Sequence, residues 1–242
     1  MKKVYLVLFV CLTGLFCESA QAQELHNKRI PLSTESNSLN YKLQGKKYYQ
    51  EPAFNDSKFL TNEWCTGDVV LENGDRYDNL KLRLNSHLDE LVEYNRRVGS
   101  TIMLDKHAIS EFNLNFEDGH TEHFRKISFN KYSKDDRYFS ILHEGKLSVL
   151  LWYKTIEQKI TPYYDKNNIL RDLKFVLTKN YYLVLPDKRI VKFTLKNQSF
   201  IKMFPEQKQE IRRLFRKNKV LIKSNEEIVR GVKLIEKEIM QN

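Results

Sequence analysis

Apolar and polar residues alternate along most of residues 59–195, and this pattern restricts the fold more than any other feature of the sequence. Leu80, Leu82 and Leu84, for example, alternate with two basic residues. Residues two apart point to the same face of a β-strand, so this period places one face of each strand in a core and the other in water. The alternation therefore predicts a domain built from half-buried β-strands.

Pairs of turn-forming residues separate these alternating stretches. The pairs are Asn73-Gly74, Asp118-Gly119, Glu144-Gly145 and Pro186-Asp187. Asn-Gly and Asp-Gly are the strongest short hairpin signals, because both residues tolerate positive φ. Short strands joined by tight hairpins predict a mainly β (α+β) fold: an antiparallel meander that forms a curved sheet or an incomplete barrel over residues 59–195.

The period changes after residue 195, where a segment covering residues 196–242 begins. Pro205 fits a first helical position, and Ile211 and Phe215 follow at helical spacing. Residues 224–227 (Ser-Asn-Glu-Glu) have the form of a capping box at the start of a second helix. The sequence predicts two C-terminal helices that pack on the sheet or cover one open edge.

The first residues have the three parts of a secretory signal. Lys2 and Lys3 precede an apolar run over residues 4–16, and small residues then lead to Ala22. Thirteen residues is short for a membrane-spanning helix, which needs about 20. We expect a signal peptide over residues 1–22 that is cleaved near Ala22, and a protein exported to the periplasm or cell envelope of a Gram-negative bacterium. A mobile lead-in over residues 23–58 is predicted to follow.

The three cysteines leave one question open and settle another. Cys17 follows the apolar run, but Phe16 stands where lipid attachment wants a small residue, so lipidation of Cys17 is the less favoured alternative. Cleavage near Ala22 leaves Cys65 as the single thiol, and the fold must then be stabilised without an intramolecular disulfide. We interpret Cys65 as a small buried core residue, since its neighbours in sequence supply no base that would make it a nucleophile.

Positive charge is concentrated at the carboxyl end of the chain. The whole chain carries a net charge of +10, yet residues 24–187 are balanced. Residues 188–242 hold 15 Lys and Arg against 6 Asp and Glu. The first predicted C-terminal helix contributes a basic face, formed by Lys208, Arg212, Arg213, Arg216, Lys217 and Lys219.

This basic face is the best candidate site in the sequence. Such side chains bind phosphates of lipid A, anionic lipids or nucleic acid, and the simpler alternative is a solvated helix face. We expect no nucleic acid partner, because an exported protein seldom meets DNA. The expected partner is an anionic component of the cell envelope or another envelope protein, and no transmembrane segment is predicted in the mature chain.

Catalytic motifs are missing from the sequence. It has no G-x-S-x-G elbow, S-x-x-K motif, P-loop or dinucleotide glycine pattern. His120 and His123 are the most obvious metal-binding candidates, but residues three apart on a strand point to opposite faces. We therefore predict no catalytic residue, no metal ligand and no cofactor.

Several strand and turn motifs resemble a group of exported Bacteroidetes-type proteins. They include residues 60–64 (Leu-Thr-Asn-Glu-Trp), 67–71 (Gly-Asp-Val-Val-Leu), 77–79 (Tyr-Asp-Asn), 88–91 (Leu-Asp-Glu-Leu) and 138–142 (Tyr-Phe-Ser-Ile-Leu). The group has no assigned activity. The resemblance implies a β-rich fold and an envelope location, and it supplies no catalytic residue.

Three functional hypotheses follow from the sequence. The first is an exported, non-catalytic binding or structural module of the cell envelope that contacts an anionic partner through its C-terminal helix. The second is a lipocalin-like carrier, in which residues such as Trp152, Phe175 and Tyr182 surround an apolar ligand. The third is a hydrolase or metal enzyme, which the missing motifs disfavour.

Overall fold

The computed structural model describes residues 43–49, 58–95, 99–128 and 136–240. In these ranges it contains one antiparallel sheet of eleven strands and three helices, which confirms the predicted fold class. The strands are β1 (Gly45–Lys47), β2 (Cys65–Leu71), β3 (Arg76–Asn85), β4 (Glu90–Asn95), β5 (Ser100–Leu104), β6 (Ile109–Asn115), β7 (Thr121–Ser128), β8 (Asp136–His143), β9 (Ser148–Tyr164), β10 (Leu170–Val184) and β11 (Ile190–Phe193). The helices are α1 (Asn197–Ile201), α2 (Lys208–Lys217) and α3 (Asn225–Glu238).

The predicted signal peptide, its cleavage point and Cys17 lie outside the described residues. So do residues 23–42 and 50–57 of the predicted lead-in. Within that segment, β1 pairs with β5.

Two meanders meet in the middle of the sheet, whose order is β1-β5-β4-β3-β2-β6-β7-β8-β9-β10-β11. From β2 the chain runs outward to β5 and then returns to place β6 on the other side of β2. The sheet is open, with β1 and β11 at its edges. Gly74 (φ +89°) and Gly119 (φ +86°) occupy the hairpin turns that the sequence predicted, because only a residue without a Cβ adopts such angles at low cost.

The sheet curls until the β3–β4 turn, residues 86–89, reaches the start of β8 and the middle of β9. The pairing of β8 with β9 extends outward only to Ser140 and Leu151. Beyond that point, β9 is hydrogen-bonded to the β3–β4 turn instead of to β8. The Thr155 amide donates to Ser86 O at 3.0 Å, and the Ser86 and Thr155 hydroxyls are 2.7 Å apart. The curl brings the concave face of the sheet around a single large core.

The core joins the sheet to the C-terminal helices. It includes Leu82, Leu91, Phe112, Phe124 and Leu151 from the strands, and Ile211, Phe215, Ile228, Val232 and Ile235 from the helices. Each such side chain contributes about 1.5–3 kcal/mol when fully buried. A smaller cluster of Phe139, Leu150 and Tyr182 covers part of the opposite face of the sheet. For this reason Tyr181 and Tyr182, which face opposite ways, are both buried.

The two predicted C-terminal helices are present, with one difference in their bounds. Residues 205–207 form a turn, so α2 begins at Lys208 rather than at Pro205. The Ser224 hydroxyl accepts from the Glu227 amide at 3.4 Å, which confirms the predicted cap of α3. A Cβ at Gly231 would lie 3.1 Å from Phe215 Cζ, so a glycine at this position lets α3 pack closely against α2. Among the residues that the structure describes, no helix combines the length and the apolar character that crossing a membrane requires.

Strands β9 and β10 are much longer than the alternating pattern predicted, at 17 and 15 residues. They pair from Val184 and Ser148 at the base to Leu170 and Tyr164 at the tip. Their outer halves form a two-stranded ribbon, defined here as residues 156–177, which carries exposed residues on both faces. Because neither face is buried, the ribbon leaves no clear apolar–polar alternation in the sequence.

Candidate functional site

Helix α2 presents the basic face that the sequence predicted. Ile211 and Phe215 are buried in the core, which fixes the orientation of the helix. Arg212, Arg213, Arg216, Lys217 and Lys219 are exposed, and Lys208 is half-buried. At 3.6 residues per turn, the four exposed cations within α2 span an arc of about 140°. The structure therefore brings five of the predicted residues to one side of α2, and Lys219 follows just after the end of the helix.

The cations of this face have no partner of opposite charge among the described residues. Within the described ranges, none of the six makes a hydrogen bond or an ion pair through its side chain. The one acidic residue of α2 is Glu210, in the first turn of the helix. The α2 face is thus a set of solvated positive charges.

Arginines elsewhere in the described residues behave differently. Some pair with acids: Arg76 with Asp68 at 2.9 Å, Arg125 with Glu144 at 2.7 Å, Arg171 with Asp165 at 2.8 Å, Arg189 with Asp187 at 2.5 Å and Arg230 with Glu227 at 3.1 Å. The other two lie over aromatic rings: Arg83 is 4.0 Å from the Phe59 ring centre and Arg137 is 4.3 Å from that of Trp152. Among the described arginines, the absence of partners is therefore specific to α2.

The spacing of the α2 cations works against the stability of the helix. Lys208 and Arg212, Arg212 and Arg216, and Arg213 and Lys217 are like-charged pairs four residues apart. Each such pair destabilises an exposed helix by a few tenths of a kcal/mol, about 0.2–0.5. Arg216 and Lys217 lie in the last turn, where a favourable interaction with the helix dipole offsets part of this cost.

Lys219 adds a backbone cost at the end of the same helix. Its φ is +52°, in the left-handed region that favours glycine, and it directly follows the C-cap Asn218. The Val220 amide then donates to Phe215 O at 2.9 Å, as in a glycine-terminated helix. A lysine at this position keeps a positive charge where glycine is the more stable residue.

A second polar site lies at the β3–β4 turn, and sequence reasoning missed it. Asp89 is buried, and its carboxylate accepts from Lys106 Nζ at 2.5 Å, the Tyr138 amide at 3.2 Å and Trp152 Nε1 at 3.3 Å. These partners are 17, 49 and 63 residues away in the chain, so no local sequence pattern predicts the contacts. Asp89 closes the curl of the sheet.

A cleft of about 680 Å³ opens beside Asp89. Its lining mixes both signs of charge, with Lys46, Lys106 and Arg137 facing Glu90 and Asp136. Burial raises the pKa of Glu90 to about 7, while the Lys106 ammonium opposes this rise. Glu93, next along β4, is 2% exposed, and burial raises its pKa to about 7 as well.

The residues weighed for catalysis and metal binding have separate surroundings. The His120 ring stacks on Phe116 and donates to Asp118, whereas His123 Nδ1 is 2.8 Å from Asn113 Oδ1. In the part of the chain that the structure describes, no three His, Cys, Asp or Glu side chains are grouped as a metal site requires. Cys65 is buried, as predicted, and burial raises the pKa of its thiol.

The three side chains proposed for an apolar ligand do not line one cavity. Trp152 lines the cleft beside Asp89. Phe175 packs edge-on against the His87 ring at 5.2 Å, and Tyr182 is buried against Phe139 at 5.5 Å.

A groove of about 710 Å³ separates α3 from the turn before β7 and from β8. Leu142, Val229 and Leu234 contribute its apolar surface, and Glu122 lies among its polar residues. Neither this groove nor the cleft beside Asp89 includes a residue of α2. The basic residues of α2 instead lie on the outer surface of the helix, where Arg212, Arg213, Arg216 and Lys217 are exposed.

Comparisons with known proteins identify no relative. The chain matches no protein-family model, and the searches of curated proteins and of solved structures give no significant match.

Proposed function

We propose that this chain is an exported, non-catalytic binding module of the cell envelope, and that its α2 face binds an anionic membrane surface. The observation that carries the proposal is the lack of partners for Arg212, Arg213 and Arg216, when every other described arginine has one. Closely spaced cations that repel one another and have no acidic partner in the described residues are explained if an external anion pairs with them.

The shape of the α2 face favours phosphate-bearing lipid headgroups over a single small anion. The ten residues of α2, 208–217, extend about 15 Å along the helix, which matches a row of headgroups. Leu221, which follows closely in the chain, is 54% exposed and offers an apolar contact beside the charges. Each Lys or Arg near an anionic surface contributes about 1 kcal/mol of binding free energy.

Export is part of the same proposal. The apolar run over residues 4–16 and the small residues before Ala22 support secretion, as does the resemblance to exported proteins. Intact mass measurement of the protein recovered from the cell envelope should give a chain that begins at Gln23. A mass that includes Cys17 with attached lipid would replace cleavage near Ala22 by lipid anchoring.

The membrane proposal is tested by sedimentation of the exported, processed protein with vesicles. Vesicles rich in phosphatidylglycerol should bind the protein, and purely zwitterionic vesicles should not. The triple variant Arg212→Glu, Arg213→Glu, Arg216→Glu should bind anionic vesicles at least about 100-fold more weakly.

A matched control separates a local effect from one of net charge. Lys159 is exposed on the ribbon, Lys166 in its tip turn and Lys192 on β11, and reversing all three changes the net charge by the same amount. This control should bind nearly as well as the wild type. Equal losses in the two triple variants, or none in the α2 variant, would contradict the proposal.

A further inference from the structure

The ribbon concentrates the exposed apolar side chains of the molecule. Ten large apolar residues are exposed in the described ranges, and six of them belong to the ribbon. These six are Ile156, Tyr163, Tyr164, Ile169, Leu170 and Leu177. Clustered apolar exposure marks an interaction surface, whereas single exposed residues do not.

The ribbon also has little support from the rest of the sheet. Strand β8 pairs with β9 only up to Leu151, and β11 pairs with β10 only from Tyr181 onward. Between Leu170 and Asn180, strand β10 therefore has β9 as its single neighbour among the described strands. An isolated two-stranded ribbon is marginally stable in water, and a third strand stabilises it.

The ribbon has two outer edges, one on β9 and one on β10, and they differ in how readily another strand could pair with them. Between Lys159 and Tyr163, strand β9 contains two more residues than the facing part of β10, and one of these inserted residues is Pro162. Bulges and prolines both block the addition of a strand to an edge. Strand β10 contains neither proline nor glycine, so its edge is open to pairing.

We propose that two copies of the chain pair through this open edge, β10 against β10 in antiparallel orientation, with the two-fold axis at Leu173. In this register Asp172 lies opposite Lys174 of the second copy, and the symmetry repeats the pair. Leu170 likewise lies opposite Val176, twice. The sequence of the edge is thus complementary to itself in both charge and apolar character.

Pairing in this register brings Leu170, which is exposed in the monomer, against the half-buried Val176 of the second copy. Leu170 faces Tyr164 across the ribbon, and Val176 faces Ile156. The Leu170–Val176 contacts between copies would join these two pairs into one apolar strip on a four-stranded sheet. Asp172 and Lys174 are both exposed in the monomer and have no ion-pair partner within the described residues, so each is available to the second copy.

Charge exchange tests both the dimer and its register. Sedimentation equilibrium of the wild-type protein should show a reversible dimer in the micromolar range. Asp172→Lys places lysine opposite lysine, and Lys174→Asp places aspartate opposite aspartate, so each variant alone should dimerise at least about tenfold more weakly. An equimolar mixture of the two variants should form a heterodimer, because every cross-strand pair is then complementary again.

The mixture excludes effects that act within one copy, since neither chain changes on mixing. Lys166→Asp, in the exposed tip turn, makes the same change of charge as Lys174→Asp and should leave dimerisation intact. A wild-type protein that stays monomeric over the accessible concentrations would overturn the proposal. It would also be overturned by a mixture that remains monomeric, or by a loss in Lys166→Asp equal to that in Lys174→Asp.

Discussion

Charged residues at the β3–β4 turn and on α2 differ in burial and in partners. At the turn, Asp89 is buried and each of its carboxylate oxygens has a donor. On α2, Arg212, Arg213 and Arg216 are exposed and have no described partner of opposite charge. The contrast teaches that charge has two roles in this account: it holds the curl of the sheet at the turn, and on α2, under the proposed function, it offers a surface to an anionic partner.

The turn should be the more sensitive region. Asp89→Ala removes the acceptor for Lys106, the Tyr138 amide and Trp152 together, and leaves a largely buried ammonium without its partner. We expect a loss of about 3 kcal/mol in the free energy of unfolding, measured with urea. The control Asp187→Ala, which removes an exposed pair with Arg189, should cost less than about 1 kcal/mol. Similar losses in both variants would remove the distinction between the regions.

Glu93 makes the strand after that turn sensitive to pH. Its folded-state pKa is about 7 and its ordinary value is 4.5, so the folded protein keeps a proton that the unfolded chain releases between these values. Stability should therefore be full below about pH 4.5 and fall as the pH rises toward 7.

Glu93→Gln removes this dependence. The variant should be about 2 kcal/mol more stable than the wild type near pH 8 and nearly unchanged near pH 4. Unfolding curves at pH 8 and at pH 4 measure the difference. Glu157→Gln, at an exposed position, is the control and should leave the stability unchanged at both pH values. A Glu93→Gln variant that is less stable near pH 8 would show that the ionised carboxylate has a favourable partner. Glu90 contributes a remaining slope of the same sign.

The end of α2 should gain stability when its charge is removed. Lys219→Gly relieves a positive φ of +52° and is expected to stabilise the protein by about 1 kcal/mol while weakening its binding to anionic vesicles. Lys217→Gly, inside the helix, should instead destabilise it by about 1 kcal/mol. Thermal unfolding of both variants gives the comparison. A loss of stability in Lys219→Gly would mean that the lysine makes a favourable contact.

The smallest effect is expected where charge has no structural role. Neutralising the face with Arg212→Gln, Arg213→Gln and Arg216→Gln should change the free energy of unfolding by no more than about 0.5 kcal/mol, because the relief of three like-charged pairs is offset by the loss of the interaction of Arg216 with the helix dipole. A clear destabilisation in urea titration would show that these arginines support the fold.

The hairpins and helix caps could be predicted because their causes are local. Gly74 and Gly119 adopt positive φ in turns of a few residues, and Ser224 caps the third residue after it. The residue types on α2 follow in the same way from helical spacing, which is why all six basic residues were found together.

Features that depend on distant contacts could not be read from the sequence. Asp89 looked like one of many turn acids until the curl of the sheet brought Trp152, 63 residues away, to its carboxylate. The length of β9 and β10 was also missed, because a ribbon with two solvent-exposed faces shows no alternation of apolar and polar residues. The basic residues of α2 were visible, but their lack of partners requires knowing where every acid lies.

Vesicle binding as a function of salt tests the central claim most directly. If the α2 face meets anionic headgroups, the affinity of the wild type for phosphatidylglycerol vesicles should fall steeply from low salt to about 0.5 M, because exposed charges are screened. The Arg212→Gln, Arg213→Gln, Arg216→Gln variant, with its fold intact, should bind weakly at low salt and show a much shallower dependence. Equal affinities and equal salt dependence in the two proteins would contradict the account.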